Sequence, residues 1–443
     1  MAQKINKKPA AGQPITIGLA GFGTVGSGLA ELLERNSQII TERSGLALRL
    51  KTICALEFKN RSRQSLSQYR LTKDWHDLVN DPEIQIVVEL IGGAGIAVEI
   101  ILAALRAGKH VVTANKAALA AHADRIFKTA IEHQAEIYFE AAVGGGIPII
   151  KVFRESLVGN HIREFYAIIN GTTNFMLTQM VGKGWSYEQA LKRAQELGFA
   201  EKDPTLDVNG SDAMAKSGLL AMLAFGGHID SKKIHREGIE SIRPVDVAFA
   251  RQLGYKIKLL GIAKQKEVGK AEIHVHPTFI PAGSELANVE NEFNAIYVKG
   301  DFLGPSLYYG KGAGSHPTAS SVVSDLHDLG QRINGQNRFN PARYRFDRDI
   351  TVMPMDSVES AFYLRLQVQE RSGILAKVTT VFAKHRISIK SIVQHDAEDP
   401  KNIPIVFVLH KTREKDLRQA VATISRFPFV REAPVCYRIE DLS

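Results

Sequence analysis

Between Ala194 and Lys216 the chain reads AQELGFAEKDPTLDVNGSDAMAK, a concentration of residue types able to do chemistry. Glu201, Asp203, Asp207 and Asp212 supply negative charge, and Lys216 supplies the opposite sign. Gly198 and Pro204 punctuate the first part, so it is a loop and not a regular helix. Asp212 and Lys216 are four residues apart and share one face of the helix that follows. A carboxylate-rich loop feeding such a pair can hold a small charged substrate. Asp212 suits a substrate ammonium or the orientation of Lys216, and Lys216 suits proton delivery to a developing oxyanion, a role worth typically ~10²–10⁴-fold in rate. An isolated D-x-x-x-K would be a surface ion pair worth about 0.2–0.5 kcal/mol. The surrounding Asp203-Pro204 and Asp207-Val208-x-Gly210 set this one apart.

Proton delivery to a carbonyl calls for a hydride source, and the N-terminal part of the chain offers one. Ile15–Ala20 is a short apolar run that reads as a buried parallel strand. Gly21-Phe22-Gly23-Thr24-Val25-Gly26 follows at once, and Leu29, Leu32 and Leu33 mark a helix after it. A G-x-G-x-x-G that leaves a strand and opens a helix is the dinucleotide-binding fingerprint. Its first Gly makes the tight turn, the second admits a pyrophosphate, and the third lets helix and strand pack closely. Beyond the next strand stand Glu57, Lys59, Arg61 and Arg63; the three cations tilt the reading toward NADP over NAD. Thr113-Ala114-Asn115-Lys116 lies at a strand's C-terminal end, the edge where ligands bind in open α/β sheets. Taken by itself the Gly144-Gly145-Gly146 turn reads first as a plain hinge; with Glu140 it also offers a carboxylate and carbonyl oxygens, the donor type of a hard cation.

These residues must be positioned by elements, and the pattern supplies them. Strand-like Leu50–Leu56, Ile84–Ile91, His110–Thr113 and Glu136–Glu140 alternate with helical Ala97–Ala107 and Ala117–His133, which predicts a doubly wound parallel sheet. After the glycines the chain reads as mixed α+β, with strands at Arg163–Asn170 and Glu272–Phe279 and helices at Met176–Gly182, Tyr187–Leu197 and Ala213–Phe225. Ser320–Leu329 reads as a helix that returns to the first domain, and Gly330–Met355 as a linker. Phe362–Gln369, Ile374–His385, Ile387–Gln394, Ile403–His410, Leu417–Ser425 and Val435–Ile439 spell β-α-β-β-α-β, a ferredoxin-like module. The expected boundaries are a disordered leader at 1–13, then a dinucleotide-binding domain at 14–148 and a substrate-binding and dimerisation domain at 149–318. A returning helix at 319–334, a linker at 335–357 and the C-terminal module at 358–443 complete the chain.

The totals narrow the classes. The 443 residues are 44% hydrophobic and 23% charged, normal for a globular protein of two to four domains. The net charge of +9 is spread out, so no nucleic-acid surface is expected. Only Cys54 and Cys436 are present, which excludes a disulfide framework and points to a reducing, cytoplasmic setting. The basic, polar start and the lack of a long apolar run exclude a secretory signal and a membrane span.

At the charged loop the sequence resembles homoserine dehydrogenases. That family's signature, an Ala, a Gly-aromatic-small triplet and D-P-x-x-D-V-x-G-x-D-x-x-x-K, is matched by Ala194, Gly198, Phe199, Ala200, Asp203, Pro204, Asp207, Val208, Gly210, Asp212 and Lys216. The resemblance runs from about Pro14 to the end. It takes in Ala114-Asn115-Lys116 and Lys311-Gly312-Ala313-Gly314 before Pro317-Thr318-Ala319. It implies an α/β fold with a Rossmann-type domain, an α+β substrate and dimerisation domain, and a ferredoxin-like ACT domain. The implied reaction is reduction of L-aspartate 4-semialdehyde to L-homoserine with NADPH or NADH. By the same resemblance Lys216 is the proton donor and Lys116 the second catalytic lysine. Gly21, Phe22, Gly23, Thr24, Val25, Gly26, Thr113, Lys116 and Gly314 would meet the cofactor, and Gly198, Glu201, Asp207 and Asp212 the substrate. Glu140 and the carbonyls of Val143, Gly145 and Ile147 would hold a monovalent cation, sodium in the family. The tail implies threonine as effector and a homodimer or homotetramer. Glu370-Arg371-Ser372-Gly373-Ile374-Leu375 departs from the usual D-x-P-G-V-L at two positions, which leaves the effector open. Two rivals remain: a thiol-acylating semialdehyde dehydrogenase, which would need a nucleophilic Cys near the loop, and a non-catalytic sensor of nucleotide and amino acid.

Overall fold

Ile15–Ala20 is apolar on both faces, and in the computed structural model it is β1, buried throughout. The structure describes residues 14–58, 66–335, 340, 346, 348–394 and 402–442. The expected leader, and Lys59, Arg61 and Arg63, lie outside them. The chain divides into two compact units. The first comprises the chain up to Gly159 with Met222–Gly227 and Tyr308–Arg348; the second comprises Asn160–Ala221, His228–Leu307 and the chain from Asp349.

In the first unit β1 is joined by β2 (Leu48–Cys54), β3 (Arg70–Thr72), β4 (Ile86–Glu89), β5 (His110–Thr113) and β6 (Ile137–Tyr138). Their order is β3-β2-β1-β4-β5-β6, and each neighbouring pair is parallel. The order reverses between β1 and β4, so their C-terminal ends open the crevice in which such sheets bind ligands. The helix Ser315–Asn334 belongs to this unit. Its Ala319, Val322, Leu326 and Leu329 pack with Ile15, Ile17 and Leu19 of β1 and with Leu29 and Leu33 of the helix Thr24–Arg35. It starts five residues before the expected Ser320, because Pro317 is tolerated in a first turn whose N–H groups need no helical partner.

One expected strand is shorter than read. Glu136–Glu140 reduces to Ile137–Tyr138, and the chain turns at Glu140–Ala142. The Glu140 N–H donates to Asp325 Oδ2 at 2.8 Å, which takes it out of the sheet ladder.

The second unit is built on a long sheet. The further strands are β7 (Ile162–Ile168), β8 (His235–Arg236), β9 (Tyr255–Glu267), β10 (Lys270–Pro281), β11 (Phe293–Gly300), β12 (Gly304–Lys311), β13 (Thr351–Val352), β14 (Glu359–Val368), β15 (Ile389–Gln394), β16 (Ile403–Arg413) and β17 (Val435–Ile439), all of the second unit except β12, whose residues from Tyr308 on are counted with the first. The main path runs β12-β11-β7-β9-β10-β17-β14-β16-β15. The last four strands form the ferredoxin-like module read from the tail, with the helices Ile374–Lys384 and Glu414–Ile424. Two points differ from expectation. The module's sheet continues into the middle one, because β17 pairs parallel with β10, Thr278 opposite Arg438 and Phe279 opposite Ile439. The stretch read as a linker includes β13, whose Thr351 and Val352 pair with Lys270 and Ala271. Among the described residues no helix is long and apolar enough to cross a membrane.

Candidate active site

The fingerprint glycines do three different jobs. Gly21 adopts φ +99°, and a Cβ there would stand 2.7 Å from the Leu90 backbone. At Gly26 a Cβ would meet the Gly21 carbonyl oxygen at 2.1 Å, so only hydrogen lets helix and strand pack. A Cβ on Gly23 would meet nothing within 4 Å; that space faces the helix N-terminus, where Gly23 is the N-cap. Phosphate bound there finds free N–H groups and the positive end of the helix dipole. A cavity of about 480 Å³ opens beside it, lined by Gly21, Phe22, Gly23, Glu57, Leu90 and Ile96 among others. Its size, its apolar walls and its place at the switch point fit a nicotinamide dinucleotide. Lys73 and Trp75 also line it and were not singled out in the sequence.

A buried carboxylate shapes the neighbouring loops. Glu89 at the end of β4 accepts from the Ile91 and Gly92 amides at 2.7 and 3.2 Å and from Thr113 Oγ1 at 2.7 Å. Thr113 in turn accepts from the Asn115 amide at 3.0 Å, and Asn115 caps the helix Lys116–Glu132 through Ala118 N at 3.0 Å. Lys116 is thereby fixed as the first residue of that helix. Glu89 escaped sequence reading because one acidic residue ending an apolar strand carries no distinguishing pattern.

The glycine turn depends on backbone conformations that favour glycine. Gly144 and Gly145 adopt φ of +75° and +56°, and a Cβ at Gly145 would stand 2.4 Å from the Gly312 backbone. Glu140 is buried and accepts from the Ile150 and Lys151 amides at 2.8 Å each. Burial pushes its carboxyl up to about 7, against those amides and the charges of Lys151 and Arg154. The Gly145 carbonyl accepts from Ser321 Oγ at 2.6 Å, and the Ile147 carbonyl from Ile149 N at 2.8 Å. Among the described residues no group of three or more His, Cys, Asp and Glu can hold a metal ion. The turn's donors are carbonyl oxygens beside one carboxylate, chemistry that fits a hard cation of low charge.

The charged loop of the second unit is a connected network. Lys216 Nζ lies 2.7 Å from Asp212 Oδ2, and the two side chains are only 11% and 7% exposed. This is not the surface pair the spacing alone would give. Lys216 Nζ also donates to the Ile169 carbonyl at 2.9 Å. Asn170 Nδ2 donates to Asp207 Oδ1 at 2.7 Å and to Asp212 Oδ2 at 3.0 Å. Burial raises the Asp207 carboxyl above its ordinary range; the Asn170 hydrogen bond and Lys216 act against this, and Asp212 adds to it. Gly198 adopts φ +74°, and Thr172 Oγ1 donates to the adjoining Phe199 carbonyl at 2.6 Å. Asp207, Asp212 and Lys216 are thus brought together, with the Gly198 turn tied to the same helix start. Glu201 is exposed, its carbonyl accepting from Gln195 Nε2 at 3.2 Å. Asn170 and Thr172 were missed because polar residues where a strand gives way to a helix look alike whether they serve the helix start or line a site.

Neither cysteine is built as a nucleophile. Burial pushes the Cys54 thiol up to about 11 and the Cys436 thiol up to about 12, so both stay protonated near neutrality. In the tail module Gly373 holds φ +87° at the N-cap of Ile374–Lys384, so the turn forms despite Glu370 and Ser372.

A dinucleotide crevice and a separate lysine–carboxylate network define a nicotinamide-dependent oxidoreductase, here joined to a ferredoxin-like tail. Comparison with known proteins makes this specific. Residues 148–327 match the family model described as homoserine dehydrogenase, residues 21–140 the homoserine dehydrogenase NAD binding domain, and residues 362–429 the ACT domain. Homoserine dehydrogenase of Pseudomonas aeruginosa is 42% identical, with 97% of this chain and 100% of that protein covered. That of Neisseria gonorrhoeae is 40% identical over 97% and 99%. The crystal structure of the enzyme from Thiobacillus denitrificans is 42% identical and superposes with a TM-score of 0.91 over 97% of this chain and 99% of that one. A hyperthermophilic archaeal homoserine dehydrogenase solved in complex with NADPH is 27% identical, with a TM-score of 0.62 over 74% of this chain and all of that one. The chain belongs to the homoserine dehydrogenase family. It is a NAD(P)-dependent oxidoreductase acting on a CH–OH group, interconverting L-aspartate 4-semialdehyde and L-homoserine.

Proposed function

We propose that Lys216 is the proton donor of the reduction and Lys116 the second catalytic lysine. The observation that carries this reading is the burial of Lys216 on Asp212, with its ammonium held by two acceptors in a loop of carboxylates. Bound in the crevice beside Gly23, NAD(P)H supplies the hydride. Phe22, Thr24, Val25, Thr113 and Gly314 complete the cofactor contacts. As charge develops on the aldehyde oxygen, Lys216 donates a hydrogen bond and then its proton. Asp212 remains a carboxylate and holds the ammonium in place. Glu201, Asp207 and the Gly198 backbone bind the amino-acid end of the substrate, whose ammonium suits carboxylates.

The Glu140 turn, with the carbonyls of Val143, Gly145 and Ile147, takes a monovalent cation, sodium by preference. The ACT module supports L-threonine as effector, in a homodimer or homotetramer. NADPH is favoured over NADH, and the setting is cytoplasmic. Steady-state kinetics with each nucleotide, with and without threonine, and sedimentation of the active enzyme test these points. Equal kcat/KM for the two nucleotides, or rates unmoved by threonine, would remove the corresponding proposal.

Lys216→Ala tests the central one. Turnover of aspartate semialdehyde should fall by about a hundredfold or more, while NADPH binding stays intact. Near-normal kcat in that variant would take Lys216 out of the mechanism.

A further inference from the structure

Asn170 joins the charged residues of the loop without carrying charge itself. It follows β7 as the N-cap of the helix Gly171–Lys183 and is 5% exposed. Its Oδ1 accepts from the Thr173 amide and from Thr173 Oγ1, both at 2.9 Å. With the oxygen committed to the cap, the amide presents its NH₂ group to the other side. There Nδ2 bridges Asp207 Oδ1 and Asp212 Oδ2, at 2.7 and 3.0 Å. The oxygen of Asp212 that it reaches is the one paired with Lys216 Nζ, and the preceding residue, Ile169, supplies the carbonyl that Lys216 also binds.

We infer that Asn170 is a positioning residue for the reduction: its amide spans Asp207 and Asp212 and so fixes the Lys216 ammonium between Asp212 and the Ile169 carbonyl. The inference rests on the reading of Lys216 as proton donor. Two carboxylates bridged by one amide repel each other, and without a donor between them one would take up a proton. Without the bridge Asp212 would lose its fixed place beside Lys216. A lysine or arginine at position 170 would compete with Lys216 for Asp212, and an aspartate would add a third like charge. A neutral amide with one acceptor spent on the cap and two donors left is the side chain that meets all these demands. The strongest charged influences on Asp207 are Asp212 and Lys216, both within this network.

Asn170→Ser separates capping from positioning. Serine caps a helix about as well as asparagine, so the fold and NADPH affinity should be retained. It has no amide to bridge the carboxylates. The expected result is a fall in kcat of about tenfold to hundredfold, the worth of hydrogen bonds to charged groups. The acid limb of the kcat/KM profile should move to higher pH, because a donor that favours the ionised carboxylates has gone. Asn170→Asp also caps and carries the same test should the serine variant not fold; it should be at least as slow. Lys216→Ala is measured beside them. If it turns over normally, the proton-donor reading falls. If it is slow while Asn170→Ser keeps the wild-type kcat, Asn170 is a cap and nothing more. A slow Asn170→Ser with an unmoved acid limb would likewise overturn the inference.

Discussion

Glu140 is a carboxylate almost without access to water, and its carboxyl is pushed up to about 7 by that burial. A carboxyl raised above its unfolded value binds its proton more tightly in the folded state. That contribution to stability is complete below about 4.5 and is lost as pH rises through about 7. Above pH 7 the fold therefore carries the cost of a charged, buried carboxylate that its two amide donors only partly offset, and a cation on the adjoining carbonyls would offset it further. Sodium chloride should raise Tm over choline chloride of equal ionic strength at pH 8, and much less at pH 5.5. At ten times its Kd the ion stabilises by about 1.4 kcal/mol. Identical melting in the two salts at pH 8 would end the cation proposal. At this scale the sequence was only half legible. The D-x-x-x-K spacing, the fingerprint glycines and the Glu140 turn stood out by type and offset. The burial of Lys216, which turns a surface pair into a site, depends on Ile169 and Asn170, 40 residues or more away in the chain. Nothing local announces it.

The same distinction between local pattern and distant packing appears among the elements. β1 and its helix were legible because an apolar run, a glycine turn and a leucine repeat follow each other directly. β9 was not singled out, although its residues suit a strand. It is buried on both faces between β7 and β10, so Ile257–Ala263 shows no alternation. The glycines of the first turn show which constraint belongs to fold and which to ligand. Gly26→Ala drives a Cβ into the Gly21 carbonyl oxygen and should lower Tm, at a cost of about 1–3 kcal/mol, with or without cofactor. Gly23→Ala meets nothing in the protein and has an ordinary φ of −79°, so its Tm without cofactor should match the parent. Its NADPH affinity, read by fluorescence titration, should fall by at least about tenfold, since the methyl group occupies the approach of the pyrophosphate. Unchanged NADPH binding by Gly23→Ala would mean that the cofactor does not cross this turn.

Across the second unit the ACT module is tied in by more than its one strand pair. Arg438 of β17 binds Glu237 at 2.9 and 3.0 Å, while Glu414 of the module's own helix holds the same guanidinium at 2.6 and 2.9 Å. Tyr437 stacks on Phe279 of β10 with ring centroids 5.3 Å apart. Deepest of all, Arg365 of β14 meets Asp246 of the helix Pro244–Gln252 at 2.7 and 3.1 Å, and Tyr363 donates to the same carboxylate at 2.9 Å. A cut before Val358 would therefore remove a neighbour from β10 as well as an effector module, and its effects on activity and regulation could not be told apart. Asp246→Ala in the full chain is the cleaner probe of this union. Arg365 is 2% exposed, and the variant leaves its charge buried without its partner, at a cost of about 3–5 kcal/mol. Equilibrium urea unfolding should show that loss in the transition that reports the second unit. Because Asp246 belongs to the middle part of the unit and Arg365 to the ACT module, both parts should lose stability together. A loss confined to one of them, or one under about 1 kcal/mol, would mean that the continuous sheet does not bind the two into one cooperative body.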